Sequence, residues 1–177
     1  MNSRKIPTDN IGSTRKPMMN IELIIFDFDG VLTDNKVIVD QLGNESVIVN
    51  RTDGLAFDVL KKLDYKLFIL STEKNPVVTA RANKLSIPVI QGTDRKKDIL
   101  LKMHEKKQID LTKTMYIGND LNDYNAMKIC STKCCPADSH PKIKEISDIV
   151  LTTNGGNGVV REIVEKVLKI NLLKYIH

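Results

Sequence analysis

The residues best suited to chemistry are two aspartates, Asp27 and Asp29, which stand one residue apart directly after an apolar run. The run 21–26 is short and rich in branched side chains, and Gly30 follows it, which predicts a buried strand that ends in a turn. Side chains two residues apart leave a strand on the same side, so both carboxylates face one space.

Two carboxylates that lie so close repel each other unless a cation lies between them or one of them holds a proton. Mg²⁺ suits a site made only of oxygen atoms, and it commonly takes phosphate oxygens as further ligands. The pair Asp27 and Asp29 therefore predicts a magnesium site with a nucleophile and an acid–base group. The alternative is a strand-to-turn junction in which Asp caps the loop and Gly30 supplies a positive φ.

Polar residues also follow, or begin, three later elements that the sequence predicts. They are Ser71 after a strand, Lys96 at the start of a helix, and Asn119, Asp120 and Asp123 after another strand. Because the carboxyl ends of parallel strands meet at one edge of a sheet, we expect these groups to converge on the two aspartates.

Together these groups supply what phosphoryl transfer requires. Asp27 can attack phosphorus and form an acyl phosphate. Asp29 can protonate the leaving alkoxide and then activate water. Lys96 and Mg²⁺ would neutralise charge on the equatorial oxygens, and the Ser71 hydroxyl would donate to a phosphate oxygen. Taken singly, each residue also fits a cap, a loop or a solvated charge, and only their order and spacing favour chemistry.

The elements that must position these residues alternate between strands and helices, which predicts an α/β fold. We expect a Rossmann-like three-layer sandwich with a central, mostly parallel sheet covered on both faces. The predicted strands are 21–26, 66–70, 88–90, 114–117, 134–137 and 148–152. The predicted helices are 55–63, 76–85, 96–107, a short one that ends near 130, 141–146 and 159–172.

A small β-hairpin insertion is predicted at about residues 36–50, after the first strand, with its turn at Gly43-Asn44. Val37, Val39, Val47 and Val49 alternate along it, and isoleucines between them make both faces apolar. The apolar side chains on both faces of such a hairpin need to pack against other protein atoms. Either partner subunits or the rest of its own domain would provide these contacts.

Length and composition bound the remaining possibilities. At 177 residues, with 41% hydrophobic and 28% charged residues, one globular domain over 20–177 is expected. The formal charge of +5 is concentrated in residues 1–19, which we expect to be a disordered leader. With 5% aromatic residues and no tryptophan, the folded part lacks the pattern of a nucleic-acid surface.

Three cysteines, Cys130, Cys134 and Cys135, do not form the pattern of a disulfide framework or of a zinc site. No apolar run reaches the roughly 20 residues of a membrane span, and the first residues lack the apolar core of a signal peptide. We therefore expect a cytoplasmic protein with neither a membrane nor a nucleic-acid partner.

The segment Asp27-Phe-Asp29-Gly30-Val31-Leu32-Thr33 resembles the first motif of the haloacid dehalogenase superfamily of phosphohydrolases. The resemblance extends over about residues 21–170, where Ser71 matches the second motif and Lys96 the third, with Lys97 open as an alternative register. It implies Mg²⁺ as cofactor and catalytic roles for Asp27, Asp29, Ser71 and Lys96.

The fourth motif, Gly118-Asn119-Asp120-x-x-Asp123, departs from the family because Asn119 stands where Asp is commoner. An amide oxygen can bind Mg²⁺ but contributes no charge, so Asp120 is an alternative third ligand. The metal ligands that the resemblance implies are Asp27, Asp29, Asn119, Asp120 and Asp123.

The short segments between the motifs leave no room for a cap domain, and the hairpin and the tail 155–162 resemble the 3-deoxy-D-manno-octulosonate 8-phosphate phosphatases. They equally resemble the phosphatase-like C-terminal domain of acylneuraminate cytidylyltransferases. The resemblance implies a homotetramer built by the hairpins and a small anionic sugar phosphate as substrate. The implied substrate-binding residues are Thr33, Arg51, Gly54, Thr72 and Lys74.

A second departure leaves the substrate open. The octulosonate enzymes usually carry Gly-Arg after the second-motif residue, whereas this chain has Thr72-Glu73. The segment 71–76 and Pro136-Ala-Asp138 resemble the relatives that act on nine-carbon acids. Three functions thus remain: a phosphatase of 2-keto-3-deoxy sugar acid phosphates, an acylneuraminate 9-phosphate phosphatase, or a tetramerising scaffold that has lost turnover.

Overall fold

The centre of the fold is a six-stranded sheet, seen in a computed structural model that describes residues 20–175. The predicted leader, residues 1–19, lies outside the described residues. The strands are β1 (Leu23–Phe26), β2 (Ile38–Val39), β3 (Glu45–Ser46), β4 (Lys66–Leu70), β5 (Val89–Ile90), β6 (Thr114–Ile117), β7 (Thr132–Cys135) and β8 (Ile149–Val150). The order in the sheet is β5-β4-β1-β6-β7-β8, and every pair is parallel. β1 therefore lies between β4 and β6.

Helices cover both faces of this sheet, as predicted. They are α1 (Arg51–Lys62), α2 (Val77–Leu85), α3 (Lys96–Glu105), α4 (Tyr124–Met127), α5 (Pro141–Ile146) and α6 (Val159–Glu162). Short 3₁₀ turns lie at Leu111–Lys113 and Leu172–Lys174. No helix within residues 20–175 has the length and apolar character needed to cross a bilayer.

Alternate residues of β1 pack into two separate cores, because successive side chains of a strand point to opposite faces. Ile24 and Phe26 join the core beneath α1, α2 and α6, whereas Ile25 joins the core beneath α3, α4 and α5. All four residues of β1 are buried. The apolar run before Asp27 is thus the middle strand of the three-layer sandwich.

The hairpin forms a separate two-stranded antiparallel sheet, β2 with β3. Its turn is held by Asp40, whose carboxylate accepts from the backbone N–H groups of Leu42 and Asn44. Five apolar side chains of the hairpin segment are solvent-exposed: Val37 50%, Ile38 60%, Val39 58%, Leu42 80% and Ile48 65%. Val47 and Val49 are partly buried and pack against the core, so the domain covers only part of the hairpin's apolar surface.

Most elements differ from their predicted bounds by a few residues, and three of these differences have a clear physical reason or consequence. Helix α1 begins at Arg51 rather than Leu55, because the Asn50 side chain accepts from the Thr52 N–H and caps the helix earlier. Strand β7 ends at Cys135, just before Pro136, which cannot donate to the ladder. The single helix expected over 159–172 is α6 followed by a π-helical segment, Ile163–Val167.

Asp53 links α1 to the start of α6. Its side chain is buried, and Oδ1 accepts from the backbone N–H of Arg161 at 3.1 Å, so it supplies a partner that the first turn of α6 otherwise lacks. Burial raises the pKa of Asp53 to about 6, although the backbone hydrogen bonds and the Arg81 charge oppose the shift. The folded protein is therefore less stable when the Asp53 carboxylate is ionised than when it is protonated.

This raised pKa predicts a pH-dependent stability. Because the folded-state pKa lies above the ordinary value, the folded state binds the proton more tightly, and stability is lost as the pH rises through about 6. Wild type should therefore lose about 2 kcal/mol of stability between pH 4.5 and pH 7 that Asp53→Asn does not lose. The free energy of unfolding of Asp53→Asn minus that of wild type should increase by this amount over the same range.

Urea denaturation at both pH values measures this difference. Asp58→Asn is the matched control, since Asp58 lies on the same helix but its side chain is 62% exposed. A difference between Asp53→Asn and wild type that stays constant with pH would contradict the assignment.

Candidate active site

The site lies where β1, β4 and β6 end side by side. β1 delivers Asp27, β4 delivers Ser71 and β6 is followed by Asn119. The Asp27 N–H continues the parallel pairing by donating to the Ile117 carbonyl at 2.9 Å. The predicted convergence of these groups on one edge of the sheet is therefore present.

The innermost feature is a buried ion triad of Asp27, Lys96 and Asp123. Lys96 Nζ donates to Asp27 Oδ1 at 2.8 Å and to Asp123 Oδ1 at 2.6 Å. The Lys96 side chain is 1% exposed and those of the two aspartates 4% and 0%. Lys97 is exposed on the surface of α3, so the geometry selects Lys96 and not Lys97 as the lysine of the site.

The pKa shifts in the triad follow from burial and from its charges. Burial, and then the neighbouring Asp123, raise the pKa of Asp27, while Lys96 opposes the rise. Burial lowers the pKa of Lys96, but the attraction of both carboxylates outweighs it, so its pKa is raised and the ammonium stays charged. Lys96 thus favours the ionised form of Asp27.

Asp29 lies nearer to solvent than Asp27 and is oriented by Thr33. The Thr33 hydroxyl donates to Asp29 Oδ1 at 3.3 Å and accepts from the N–H groups of Gly30 and Asn35. Burial raises the pKa of Asp29, and the nearby charge of Glu73 raises it further, whereas the hydrogen bond from Thr33 lowers it. A carboxyl group with a raised pKa is suited to donate and take back a proton.

Asn119 closes the site beside Gly30. Gly30 has φ +77, and a Cβ there would overlap the Asn119 side chain, so only glycine allows this approach. Asn119 Oδ1 is buried without a hydrogen-bond partner among the described residues. A buried amide oxygen needs a donor or a cation, so this atom fits a metal ion next to the two aspartates.

Residues 20–175 contain no group of three or more His, Cys, Asp and Glu side chains that is preformed to hold a metal. Beside Asp27 and Asp29, Asn119 is the residue that offers a buried amide oxygen. Asp123 is a different case. Its Oδ1 accepts from Lys96 and its Oδ2 from the Asn119 N–H, so the structure gives it the task of holding Lys96 rather than a metal.

A cleft of about 370 Å³ opens directly over the two aspartates. It is lined by Asp27, Asp29, Asn35, Thr72, Asn119, Asp120, Leu121 and Asn122. Thr72 accepts from Asn122 Nδ2 at 3.2 Å across the cleft, and Asp120 lies at its exposed rim. Ser71 is buried behind it, where its Oγ accepts from the Glu73 N–H and keeps its own proton for donation.

A second groove, of about 240 Å³, continues from the first through Asp29 and Asn35. It runs between the hairpin and the start of α2, and its charged residues are Asp29, Lys36, Glu45 and Glu73. The Glu45 carboxylate accepts from Asn75 Nδ2 at 3.0 Å. In a single chain, the groove that could receive the part of a substrate far from its phosphate is therefore mainly acidic.

Four residues expected at the substrate lie elsewhere in the structure. Thr33 is fully buried and acts on Asp29. Gly54 lies inside α1, where a Cβ would make only an ordinary van der Waals contact with Leu85 of α2. Arg51, at the first position of α1, and Lys74 are exposed and line neither groove. Of the five residues that the resemblance implied, only Thr72 lines the cleft.

Two features of the site were missed from the sequence. The loop 154–158 packs tightly against the loop that follows Asp27: the Gly156 N–H donates to the Val31 carbonyl, and a Cβ at Gly155 would overlap the Gly30 carbonyl. Tyr116 donates to Asp123 at 2.8 Å. The run of glycines and a polar atom inside a buried strand are the only signals that the sequence offers for them.

Comparison with known proteins agrees with this geometry. Residues 57–163 match the family model of haloacid dehalogenase-like hydrolases. The chain is 30% identical over 156 residues to the 3-deoxy-D-manno-octulosonate 8-phosphate phosphatase of Haemophilus influenzae, covering 88% of this chain and 87% of that protein.

Two solved structures of such phosphatases share the fold. The enzyme of Moraxella catarrhalis, in complex with magnesium ion, phosphate ion and KDO, superposes with a TM-score of 0.80 at 34% identity, covering 85% of this chain and 87% of that one. The cobalt-bound enzyme of Haemophilus influenzae gives a TM-score of 0.79 at 31% identity, covering 85% and 89%. The chain belongs to the haloacid dehalogenase-like hydrolases, alongside the 3-deoxy-D-manno-octulosonate 8-phosphate phosphatases, and is a phosphomonoesterase.

Proposed function

We propose that the protein hydrolyses the phosphate ester of a 2-keto-3-deoxy sugar acid, of the 3-deoxy-D-manno-octulosonate 8-phosphate type, through an aspartyl phosphate on Asp27. The observation that carries the proposal is the 2.8 Å contact between Lys96 and Asp27 at the base of a cleft that Asp29 also lines. A nucleophile, a fixed cation and an acid thus surround one space.

Asp27 attacks phosphorus with its ionised carboxylate and forms the acyl phosphate. The ammonium of Lys96 holds this carboxylate in place and offsets the negative charge that collects around phosphorus. Asp29, whose pKa burial raises, protonates the leaving sugar oxygen. It then takes a proton from the water that hydrolyses the aspartyl phosphate. Ser71 donates to a phosphate oxygen from behind the cleft.

Mg²⁺ fits the same space. Asp27, Asp29 and the buried Asn119 Oδ1 are the proposed protein ligands, and Asp120 at the rim is the alternative to Asn119. When bound, the ion would offset the charge on the phosphate oxygens and on the two aspartates. The Moraxella structure, which holds magnesium, and the Haemophilus structure, which holds cobalt, support a divalent cofactor.

A second substrate, an acylneuraminate 9-phosphate, is favoured by the acidic second groove. Glu73 and Glu45 line it, and both charges raise the pKa of Asp29. Glutamates can accept a hydrogen bond from the amide N–H of the N-acyl group, which the octulosonate sugar lacks, whereas both sugar acids carry a carboxylate that glutamates repel. The third possibility, a scaffold without turnover, is set aside because the chain is a phosphomonoesterase.

We further propose that the hairpins assemble four copies of the chain. The five apolar side chains exposed on 37–48 are the argument, since a contiguous apolar patch on a surface marks an interaction site. Burying each of these side chains at an interface would contribute about 1.5–3 kcal/mol. The second groove, which the hairpin borders, would then be completed by a neighbouring copy.

The substrate assignment is tested by phosphate release from a panel of sugar phosphates, with and without Mg²⁺. We expect the highest kcat/KM on the octulosonate 8-phosphate, no turnover when the ion is chelated, and loss of turnover in Asp27→Asn. A higher kcat/KM on the nine-carbon acid phosphate would select the second substrate. Unchanged Mg²⁺-dependent release by Asp27→Asn would contradict the nucleophile.

The two neighbouring lysines provide a matched pair of variants. Lys96→Met should lower kcat by about a hundredfold or more, because it removes the only cation in contact with Asp27 among the described residues. Lys97→Met should leave kcat within about twofold, since an exposed charge on α3 contacts no reacting group. Kinetics are compared per folded protein, and loss of activity in the Lys97 variant alone would contradict the assignment.

The assembly is tested at the hairpin. Ile38→Asp should convert tetramers into smaller species in analytical ultracentrifugation, because it places a charge in the proposed apolar interface. Val150→Asp is the control, since Val150 is an exposed apolar residue (47%) outside the hairpin. A wild-type monomer, or an Ile38→Asp tetramer, would contradict the proposal.

A further inference from the structure

Tyr116 is a buried tyrosine whose hydroxyl reaches the ion triad from beneath. It lies on β6, is 0% exposed and donates to Asp123 Oδ1 at 2.8 Å. Its neighbours Met115 and Ile117 point to the opposite core, whereas Tyr116 packs with Leu100 of α3. The ring therefore lies under the two elements that supply Lys96 and Asp123.

The hydroxyl completes the set of donors around Asp123. Oδ1 accepts from Lys96 at 2.6 Å and from Tyr116, and Oδ2 accepts from the Asn119 N–H at 3.0 Å. A buried carboxylate is stabilised by each donor it keeps, and the loss of one is costly. Lys96 thus donates to two carboxylates: that of Asp123, which accepts from two further donors, and that of Asp27.

The two carboxylates compete for the Lys96 ammonium. Each contributes one short hydrogen bond, so the position of Nζ depends on how much negative charge each oxygen presents. A neutral O–H that donates to Asp123 draws charge from Oδ1 and leaves more of the ammonium's attraction for Asp27. Burial, reinforced by Asp123 and Asp27, raises the pKa of Tyr116, so the hydroxyl stays protonated and remains a donor.

We propose that Tyr116 is a positioning residue, whose hydroxyl sets the balance of Lys96 between Asp123 and the nucleophile Asp27. The inference rests on the proposed role of Asp27 but not on the identity of the sugar. Without the hydroxyl, Asp123 attracts Lys96 more strongly, and the ammonium moves away from Asp27 Oδ1. Asp27 then loses the hydrogen bond that orients its carboxylate.

The test is Tyr116→Phe, which removes one oxygen and keeps the ring, assayed with p-nitrophenyl phosphate and Mg²⁺. We expect kcat to fall about tenfold, the loss of one hydrogen bond to a charged group, with KM within about twofold because Tyr116 does not line the cleft. Tyr65→Phe is the control, since Tyr65 is buried just before β4, at the opposite end of that strand from Ser71. It should keep wild-type kcat.

A second comparison separates positioning from packing. In an Asp123→Asn background, where the tyrosine no longer faces a carboxylate, the Tyr116→Phe change should alter kcat by less than about twofold. An unchanged kcat in the single variant, a full tenfold loss in the Asp123→Asn background, or a Tyr116→Phe protein that fails to fold would each overturn the proposal. Failure of the proposed nucleophile is distinct, because Asp27→Asn would then retain wild-type turnover of the same ester.

Discussion

The structure depends on one buried ammonium held between two carboxylates. Lys96 joins Asp27 to Asp123 while its side chain is 1% exposed, so three charges lie where water cannot solvate them. A buried ion pair is weak evidence for stability, because desolvation consumes much of the attraction. The triad is therefore better explained by the chemistry proposed for the site: it keeps a cation in contact with the aspartate at the end of β1.

A second constraint is the close approach of three backbone segments around that aspartate. Gly30 passes against Asn119, and Gly155 and Gly156 pass against the loop that begins at Asp27. Side chains at these glycines would overlap backbone or amide atoms. The loop after β8 thus packs directly against the backbone of the loop that follows Asp27.

The sequence predicted most of what lies along the sheet. The run before Asp27 could be recognised as a buried strand, because a strand covered on both faces is apolar along its whole length. The alternation of strands and helices led to the parallel sheet, and the parallel sheet led to the meeting of Asp27, Ser71 and Asn119 at one edge. These inferences succeed because they use local periodicity and the fixed direction of parallel strands.

Only the tertiary structure decided which polar side chain contacts which. The sequence favoured Lys96 and left Lys97 open as an alternative register, and the burial of Lys96 beside the exposed Lys97 separated them. It assigned Asp123 to the metal, whereas the fold points that carboxylate at Lys96 and Tyr116. The sequence by itself determined the strands, the edge and the reactive residue types. The direction of each side chain depends on contacts between residues far apart in the chain, which no local pattern contains.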